Sequence, residues 1–325
     1  MKAILCEQLG GPDDLILAEV DDPRPGPGEL LVKVAAAGVN FADTLQLQGR
    51  YQIKAEPPFT PGLELCGTVL EVGEGCSRFR PGERVMAAVP QGAYAEKALV
   101  SESIAWTVPD TLSDVQAAGF PIIYGTSHAS LWGIAGLKEG ESLLVLGAAG
   151  GVGLTAVEIG AKLGATVIAA AGGPEKLEIC AKHGAHHGID YREEDIKARV
   201  KELTGNKGVD VIYDAVGGAS FDAGLRATAQ GARVLIIGFA SGDIPQIPAN
   251  YLMVKNIQVF GVNWGALSEV NPSLYRASCD HLSDMAARGQ IEPPVSETMP
   301  LDQVPEALRL IKARKTTGKV VITMS

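Results

Sequence analysis

Short apolar runs alternate with segments in which apolar residues recur at helical spacing along the middle of the chain, between residues 141 and 262. The runs are rich in β-branched and aliphatic residues, as in strands that are buried on both faces of a sheet. They lie at residues 142–147, 166–171, 209–216, 232–238 and 257–262. After the first run, apolar residues recur at the spacing of one helix face: Val152, Ala156, Ile159 and Leu163. This alternation predicts an α/β domain with a doubly wound parallel sheet.

The first third of the chain has a different sequence pattern, in which strand-like runs alternate with turns that contain proline and glycine. Residues 29–39 and 67–73 are rich in β-branched and aliphatic side chains. Turn sequences with Pro-Gly pairs occur at 23–29 and 80–85. We therefore predict an irregular β-rich domain that precedes the parallel sheet.

An uncharged stretch at residues 115–137 is long enough to cross a bilayer. It contains Gln116, Pro121 and His128, which lower its mean hydropathy. Ser113 and Gln116 have the spacing of a capping box, which marks the start of a helix. We interpret the stretch as buried helix and predict no membrane span.

The chain has 325 residues, a formal net charge of −10 and a pI near 5.1. This length is typical of two domains, and the acidic balance argues against nucleic acid or an anionic membrane as the main partner. Five scattered cysteines without a C-x-x-C pair are typical of reduced thiols. Because the first residues have no apolar leader, we expect a cytoplasmic location.

A glycine-rich loop joins the first strand of the predicted sheet to the helix after it. Gly147, Gly150 and Gly153 are spaced three apart, and Gly151 and Val152 stand between the last two. Glycines let the backbone turn tightly and approach a pyrophosphate, whose charge then lies at the helix N-terminus. Because this loop stands between a strand and a helix, we predict dinucleotide binding there.

The second strand of the sheet ends without the acidic residue that commonly binds a ribose 2′-hydroxyl. It ends at residues 170–173, Ala-Ala-Gly-Gly, and no acid precedes Glu175. Lys176 lies in the first turn of the next helix, and Tyr191 follows the third strand. A 2′-phosphate needs donors and positive charge, and a carboxylate would repel it. The sequence therefore predicts NADPH as the cofactor.

Four segments together resemble the medium-chain dehydrogenase/reductase superfamily and, within it, the zinc-free quinone oxidoreductase branch that includes zeta-crystallin. They are AAGGVG (148–153), PGLELCG (61–67), GVNFADTLQLQGRY (38–51) and IDYREEDI (189–196). The resemblance implies a GroES-like β-rich catalytic domain at residues 1–120, completed by residues 263–325. A Rossmann NADP(H)-binding domain would occupy residues 121–262, with nicotinamide and substrate in the cleft between the domains. The resemblance also implies a homodimer through the edge strand at 257–262.

The same resemblance implies roles for individual residues. Lys176, Tyr191 and Arg314 match the residues that surround the 2′-phosphate in the bacterial quinone reductases. Asn40 is expected beside the nicotinamide, where its amide can donate to a substrate carbonyl. Tyr51 is expected to donate a proton or to shape the substrate pocket.

Further residues belong to the predicted site with smaller roles. We expect Asp43 to orient the loop that carries Asn40, and Thr126 matches a family position near the nicotinamide amide. Other cofactor-lining candidates stand at strand ends on the carboxyl edge of the sheet, where ligands bind in such folds. They are Gly217, Phe239, Val262, Asn263 and Trp264.

The sequence departs from the zinc enzymes of the superfamily. Asn40 stands near the position of a zinc-binding cysteine, and residues 62–64 are Gly-Leu-Glu in place of Gly-His-Glu. Leucine cannot bind zinc, and an amide is a poor substitute for a thiolate. The cysteines of the structural zinc lobe are also missing, and we interpret His186 and His187 as structural. We therefore expect no metal.

Without a Lewis acid, reduction of an electron-poor acceptor needs less assistance than oxidation of an alcohol. The sequence therefore predicts an NADPH-dependent reductase of a small-molecule quinone or activated enone. One alternative is an enoyl-thioester reductase acting on acyl-CoA or a carrier-bound acyl chain. Another is a non-enzymatic protein that binds nucleotide or has a structural role; its variant as an RNA-binding protein conflicts with the acidic charge.

Overall fold

A computed structural model describes residues 1–324 of the chain. These residues divide into two compact units. The first unit combines residues 1–122 with the segment from Gly265 onward, and the second comprises residues 123–264. The sequence prediction had placed these boundaries at 120/121 and 262/263.

Strands and helices are numbered in chain order over the described residues. The strands are β1 (Lys2–Cys6), β2 (Leu15–Glu19), β3 (Glu29–Val39), β4 (Glu64–Val72), β5 (Arg84–Ala88), β6 (Lys97–Ser101), β7 (Trp106–Thr107), β8 (Ser142–Leu146), β9 (Thr166–Ala171), β10 (His187–Asp190), β11 (Val209–Asp214), β12 (Thr228–Ile236), β13 (Gln258–Gly261), β14 (Val295–Pro300) and β15 (Lys319–Thr323). The helices are α1 (Phe41–Leu47), α2 (Asp114–Ala118), α3 (Pro121–His128), α4 (Gly151–Lys162), α5 (Pro174–Lys182), α6 (Ile196–Leu203), α7 (Gly218–Arg226), α8 (Ala249–Lys255), α9 (Trp264–Val270), α10 (Pro272–Ala287) and α11 (Val304–Lys312).

The second unit is built on a six-stranded sheet in which every pairing is parallel. Its strand order is β10-β9-β8-β11-β12-β13, which is the 3-2-1-4-5-6 order of a Rossmann domain. The strands are apolar because helices cover both faces, and Leu144, Ile168 and Val234 are almost completely buried. This topology confirms the predicted doubly wound sheet.

Chain connectivity defines where this sheet can bind a ligand. The order of the strands reverses between β8 and β11, which are neighbours in space but distant in sequence. Loops that leave the carboxyl ends of these two strands diverge and open a crevice at the edge of the sheet. The glycine-rich loop follows β8 and therefore lies at this crevice.

The first unit is β-rich: β1 and β2 form a separate two-stranded sheet, and the other strands of its N-terminal part join the C-terminal strands in one larger sheet. Its seven-stranded sheet has the order β14-β15-β3-β4-β5-β7, and β6 also pairs with β3. The C-terminal strand β15 runs antiparallel to β3, with Val320 opposite Val39. Alternating apolar side chains such as Leu30, Leu65 and Ile322 point into a buried core. The C-terminal segment thus completes the N-terminal domain, as the resemblance implied.

The uncharged stretch at 115–137 folds into short helical pieces. It contains most of α2, all of α3 and a π-helical turn at Ala129–Ile134. Ser113 is the N-cap of α2, and its Oγ accepts a hydrogen bond from the Gln116 backbone N–H at 3.2 Å. Within residues 1–324, no helix is both long and apolar enough to cross a membrane. The cytoplasmic location stays a prediction.

Gly125 in α3 packs closely on the side chain of Trp264, and both residues belong to the second unit. The Trp264 side chain is only 4% exposed. A Cβ atom on Gly125 would lie 2.3 Å from Cε2 and 2.4 Å from Cζ2 of the Trp264 indole. Gly125 therefore makes room for the indole ring.

We expect Gly125→Ala to destabilise the protein. Alanine favours a helix over glycine by up to about 1 kcal/mol, but overpacking a rigid buried ring costs about 1–3 kcal/mol. A net decrease in the free energy of unfolding should therefore appear in urea denaturation. Gly11→Ala is the control, since a Cβ there has no neighbour within 4 Å and φ is −141°. Equal stabilities of the two variants would contradict this packing.

Candidate active site

The loop after β3 places Asn40 at the start of α1. Asn40 is the N-cap residue, with φ −126° and ψ 151°. Its backbone N–H donates to Oδ2 of Asp43 at 2.7 Å, the reciprocal contact of a capping box. An Asn followed three residues later by an acid therefore folds locally into a helix start that fixes the backbone of Asn40.

Asp43 is completely buried beneath this helix start. Its Oδ2 also accepts a hydrogen bond from the Tyr94 hydroxyl at 2.7 Å, whereas Oδ1 has no partner among residues 1–324. Burial raises the pKa of the Asp43 carboxyl to about 7. Burial and the neighbouring Asp43 raise the pKa of Tyr94 well above its usual value. These contacts agree with the predicted orienting role of Asp43, which stays a prediction.

A buried ion pair lies next to Asn40. Lys319, at the start of β15, is 2% exposed, and Glu64, at the start of β4, is fully buried. The Lys319 ammonium group forms an ion pair with Oε1 of Glu64 and donates to Oδ1 of Asn40 at 2.6 Å. The Asn40 Nδ2 group donates to the same Glu64 Oε1 at 3.0 Å. The other carboxylate oxygen of Glu64 accepts from the Ile122 backbone N–H in α3 at 2.9 Å.

We refer to five residues as the buried polar cluster: Asn40, Asp43, Glu64, Tyr94 and Lys319. Two glycines make room for it. A Cβ on Gly38 would lie 2.4 Å from Glu64 Oε1, and a Cβ on Gly119 would lie 2.8 Å from Cγ of Lys319. The backbone therefore approaches the ion pair more closely than any other residue type would allow.

The buried polar cluster contains Asn40 and Glu64, which stand in the two segments where the resemblance places zinc ligands in the superfamily's zinc enzymes, and its donors do not fit the metal. Leu63 is buried and has no donor atom. The Glu64 carboxylate already binds an ammonium group and two N–H donors. Elsewhere in residues 1–324, no group of three or more His, Cys, Asp or Glu residues could hold a metal ion. His186 accepts a hydrogen bond from the Val167 N–H at its Nδ1, as expected for a structural residue.

Tyr51 follows α1 and is half-buried. Burial raises the pKa of its hydroxyl, and the nearby Asp43 raises it further. The hydroxyl is therefore protonated at neutral pH, as a proton donor must be before it reacts. Its predicted role stays a prediction.

The glycine-rich loop after β8 fits a pyrophosphate. Gly147 has a positive φ of 71°, and a Cβ on Gly153 would lie 2.2 Å from the Gly147 carbonyl oxygen. These two glycines are required by the loop itself. Gly150 is exposed, and a Cβ there would meet only the Gly147 carbonyl oxygen, at an ordinary contact distance of 3.5 Å, so the loop itself does not require glycine at this position. Gly150 is also the N-cap of α4, where no side chain caps the helix, so a bound phosphate can accept from its first N–H groups.

Basic and hydroxyl groups gather at the carboxyl ends of β9 and β10. A Cβ on Gly172 would lie 2.8 Å from both the Tyr191 hydroxyl and Nε of Arg192. Lys176 lies in the first turn of α5, which begins directly after this glycine turn. We call Lys176, Tyr191 and Arg192 the β9 basic cluster. Arg192 is not among the residues predicted from the sequence, although a second basic residue beside Tyr191 could have indicated it.

An acid from the neighbouring strand shapes this turn. Asp190 Oδ1 accepts from the Gly173 N–H at 3.0 Å and from the Arg192 N–H at 3.1 Å. The carboxylate is thus used to hold the backbone. Arg314 belongs to the other unit, with a left-handed φ of 56°, and its contact with a 2′-phosphate stays a prediction.

The remaining predicted residues of the second unit lie in α3, at the start of α9 and in the segments that follow β11, β12 and β13. Asp214 ends β11 and accepts from the backbone N–H groups of Val216 and Gly217, and a Cβ on Gly217 would lie 3.4 Å from Phe239. Val262 and Asn263 directly follow β13. Trp264 begins α9, with its indole packed on Gly125. Thr126 is buried in α3, and its carbonyl accepts from the Ser130 hydroxyl at 2.6 Å.

Comparisons with known proteins agree with this architecture. Residues 26–110 match the alcohol dehydrogenase GroES-like domain, and residues 151–278 match the zinc-binding dehydrogenase domain. A quinone oxidoreductase-like protein 2 homolog from Nematostella vectensis is 41% identical over 99% of this chain and 88% of its own length. Human quinone oxidoreductase is 32% identical over 100% of this chain and 98% of its own.

Two solved structures have the same fold over their whole length. The Escherichia coli quinone oxidoreductase in complex with NADPH has a TM-score of 0.93 and 29% identity, covering 99% of this chain and 100% of that one. A mycobacterial protein in complex with NADPH has a TM-score of 0.93 and 34% identity over the same shares.

The GroES-like and Rossmann units together define a medium-chain dehydrogenase/reductase. Within that superfamily, the chain belongs to the quinone oxidoreductase branch and is an oxidoreductase of that type.

The buried carboxyl of Asp43 predicts a pH-dependent stability. Its pKa is 3.8 in a model peptide and about 7 in the folded protein, so the folded state loses stability as the pH rises from about 4 to about 7. Asp43→Asn keeps an oxygen acceptor but cannot ionise. We therefore expect the variant to gain in melting temperature relative to the wild type between about pH 5 and about pH 8. Thermal unfolding across this range measures the difference, and a constant difference would contradict the raised pKa.

Proposed function

We propose that this protein is a zinc-independent, NADPH-dependent reductase of quinones or activated enones. The observation that carries the proposal is the buried polar cluster, where an ammonium group binds the oxygens of Asn40 and Glu64. The resemblance implies that the superfamily's zinc enzymes have a cysteine near position 40 and a histidine at position 63, where this chain has leucine. When bound, NADPH would supply the hydride.

Several features support NADPH as the cofactor. The exposed Gly150 and the uncapped start of α4 suit a pyrophosphate. The β9 basic cluster offers two cationic groups and a hydroxyl where the 2′-substituent of an adenosine ribose lies in Rossmann domains. The mycobacterial and Escherichia coli structures that share this fold were both solved with NADPH. For Gly151, Val152, Gly153, Thr126, Gly217, Phe239, Val262, Asn263, Trp264 and Arg314, cofactor contact is part of the same proposal.

Asn40 and Tyr51 are the residues we propose for the reaction itself. Asn40 Nδ2 donates one hydrogen to Glu64, and its contact with the Gly38 carbonyl is long, at 3.4 Å. The hydrogen in that weak contact can be donated to the oxygen of an acceptor carbonyl as negative charge develops there. Tyr51, with its raised pKa, holds a proton that the reduced acceptor can take. Neither step requires a Lewis acid.

The same residues support the proposed zinc independence. Leu63 offers no ligand, and a cation entering between Asn40 and Glu64 would have to displace the Lys319 ammonium group. A zinc ion and the Lys319 ammonium group would repel each other strongly in such a buried site, because both are positively charged. We therefore propose that the site works without metal.

We also propose a homodimer through β13, the edge strand of the parallel sheet. An unprotected edge strand pairs readily with another chain. The preceding helix α8 exposes Met253 and Val254, whose side chains are 73% and 69% accessible. Exposed apolar side chains next to an open edge are typical of a surface that binds another protein.

The test of the proposed function is NADPH oxidation, followed by absorbance, with 1,4-benzoquinone and with crotonyl-CoA in parallel. We expect faster turnover with the quinone, and with NADPH rather than NADH. Turnover with the thioester alone would move the function to enoyl-thioester reduction. An equal rate with NADH would contradict the proposed cofactor.

The β9 basic cluster predicts a specific role for Arg192. Its guanidinium makes no hydrogen bond or ion pair within residues 1–324 and is exposed beside Gly172. We expect Arg192→Gln to weaken the binding of 2′,5′-ADP and NADPH by roughly 10-fold, because a charge-assisted hydrogen bond to phosphate is lost. We would measure these affinities by isothermal titration calorimetry, and the affinity for NADH should not change.

Arg199→Gln is the matched control for that measurement. Arg199 is also exposed in part, but its guanidinium is already paired with Glu194 and Glu202. We expect this variant to bind 2′,5′-ADP like the wild type. Equal losses in the two variants would show only a general effect of charge.

A further inference from the structure

We propose that Lys319 is a positioning residue for the reaction, because it fixes the carboxamide of Asn40 in one orientation. This inference rests on the proposed role of Asn40 as a donor to the acceptor carbonyl. Lys319 lies 279 positions from Asn40 in sequence, and its Nζ is 2.6 Å from Asn40 Oδ1.

The two charges of the ion pair determine which way the Asn40 amide points. An ammonium group can only donate hydrogen bonds, and a carboxylate can only accept them. Oδ1 of Asn40 faces the Lys319 ammonium group, and Nδ2 faces the Glu64 carboxylate at 3.0 Å. A flipped amide would place its Nδ2 donor against the Lys319 ammonium group and its Oδ1 acceptor against the Glu64 carboxylate, and both contacts would be repulsive. The amide therefore has a single favourable orientation.

Stability alone does not explain an ion pair at this place. Buried charge pairs are commonly no more stabilising than apolar residues of the same volume, because both ions lose their hydration. Here Lys319 is 2% exposed, Glu64 is 0% exposed, and Gly38 and Gly119 are needed to accommodate them. Two apolar side chains could fill this space, but they could not orient an amide. Orientation is the property that the ion pair adds.

The fixed orientation determines which hydrogen Asn40 can offer. One Nδ2 hydrogen is directed to Glu64, and the other makes only the 3.4 Å contact with the Gly38 carbonyl. Asn40 is 8% exposed, so a small part of its surface can meet another molecule. Without the cation at Oδ1, the amide could rotate and present its oxygen to an acceptor carbonyl, which would repel it.

The test compares four variants with the wild type. Lys319→Met removes the cation, and Glu64→Gln/Lys319→Met removes both charges, so that no lone charge stays buried. Asn40→Ala removes the amide that Lys319 is proposed to position. The triple variant Asn40→Ala/Glu64→Gln/Lys319→Met combines all three changes. For each, we would measure the melting temperature, the Kd for NADPH, and kcat and KM with benzoquinone.

We expect Lys319→Met to lower both the melting temperature and kcat, because it leaves the Glu64 carboxylate buried without its partner. The double variant should recover most of the melting temperature, yet its kcat should stay at least about 10-fold below the wild type, since a misplaced donor slows the reaction. The triple variant should have the kcat of Asn40→Ala to within about 2-fold, as expected when Lys319 acts only through Asn40. The Kd for NADPH should change little in all of them.

A matched control removes a partly buried ion pair from the other unit. Glu141 and Arg233 pair at 2.6 Å, and Glu141→Gln/Arg233→Met should affect the melting temperature without affecting kcat. If the Glu64→Gln/Lys319→Met variant regains kcat together with stability, Lys319 is merely structural and the inference is overturned. It is also overturned if that variant cannot fold, because the pair is then needed for folding itself.

Failure of the proposed function would give a different result. In that case the wild type would not reduce benzoquinone, and the same set of variants would be measured with whichever acceptor it does reduce. The comparison between the double and triple variants would then still decide the role of Lys319.

Discussion

The ion pair between Glu64 and Lys319 is the interaction on which the first unit depends. It joins β4 to the C-terminal strand β15, caps the start of α3 through the Ile122 N–H, and holds Asn40 at the start of α1. Removing one partner from a buried pair typically costs about 3–5 kcal/mol, because the other charge is left without compensation. Gly38 and Gly119 leave room for this pair. A Cβ atom on Gly38 would lie 2.4 Å from Glu64 Oε1, and a Cβ atom on Gly119 would lie 2.8 Å from Lys319 Cγ.

This constraint also has a chemical consequence. By the resemblance, the superfamily's zinc enzymes have a cysteine near position 40 and a histidine at position 63. Here the positive charge beside Asn40 and Glu64 is the Lys319 ammonium group, which is part of the chain. A fixed ammonium group can orient an amide but, unlike zinc, cannot bind the substrate oxygen at an open coordination position. The site is therefore suited to an acceptor that is already electron-poor, which is why we propose a quinone or an enone.

Local patterns in the sequence were sufficient to predict the Rossmann unit. Apolar runs and helical stripes are short-range signals, and the loop at 147–153 lies between a strand and a helix that both follow them. The missing acid after β9 predicts a site for a 2′-phosphate, and this stays a prediction. The sequence did not show that Asp190, on the next strand, holds the turn. The role of Lys319 could not be predicted from the sequence, because its contact with Asn40 joins residues 279 positions apart. In the sequence alone, Lys319 resembles an ordinary lysine in a strand.

The most direct test of the account is the effect of metal removal on the reaction. Protein dialysed against EDTA, with its zinc content measured by mass spectrometry, would be assayed for benzoquinone-dependent NADPH oxidation. We expect the same rate before and after dialysis, and no gain when zinc is added back. A rate that is lost with the metal and recovers in proportion to added zinc would contradict it.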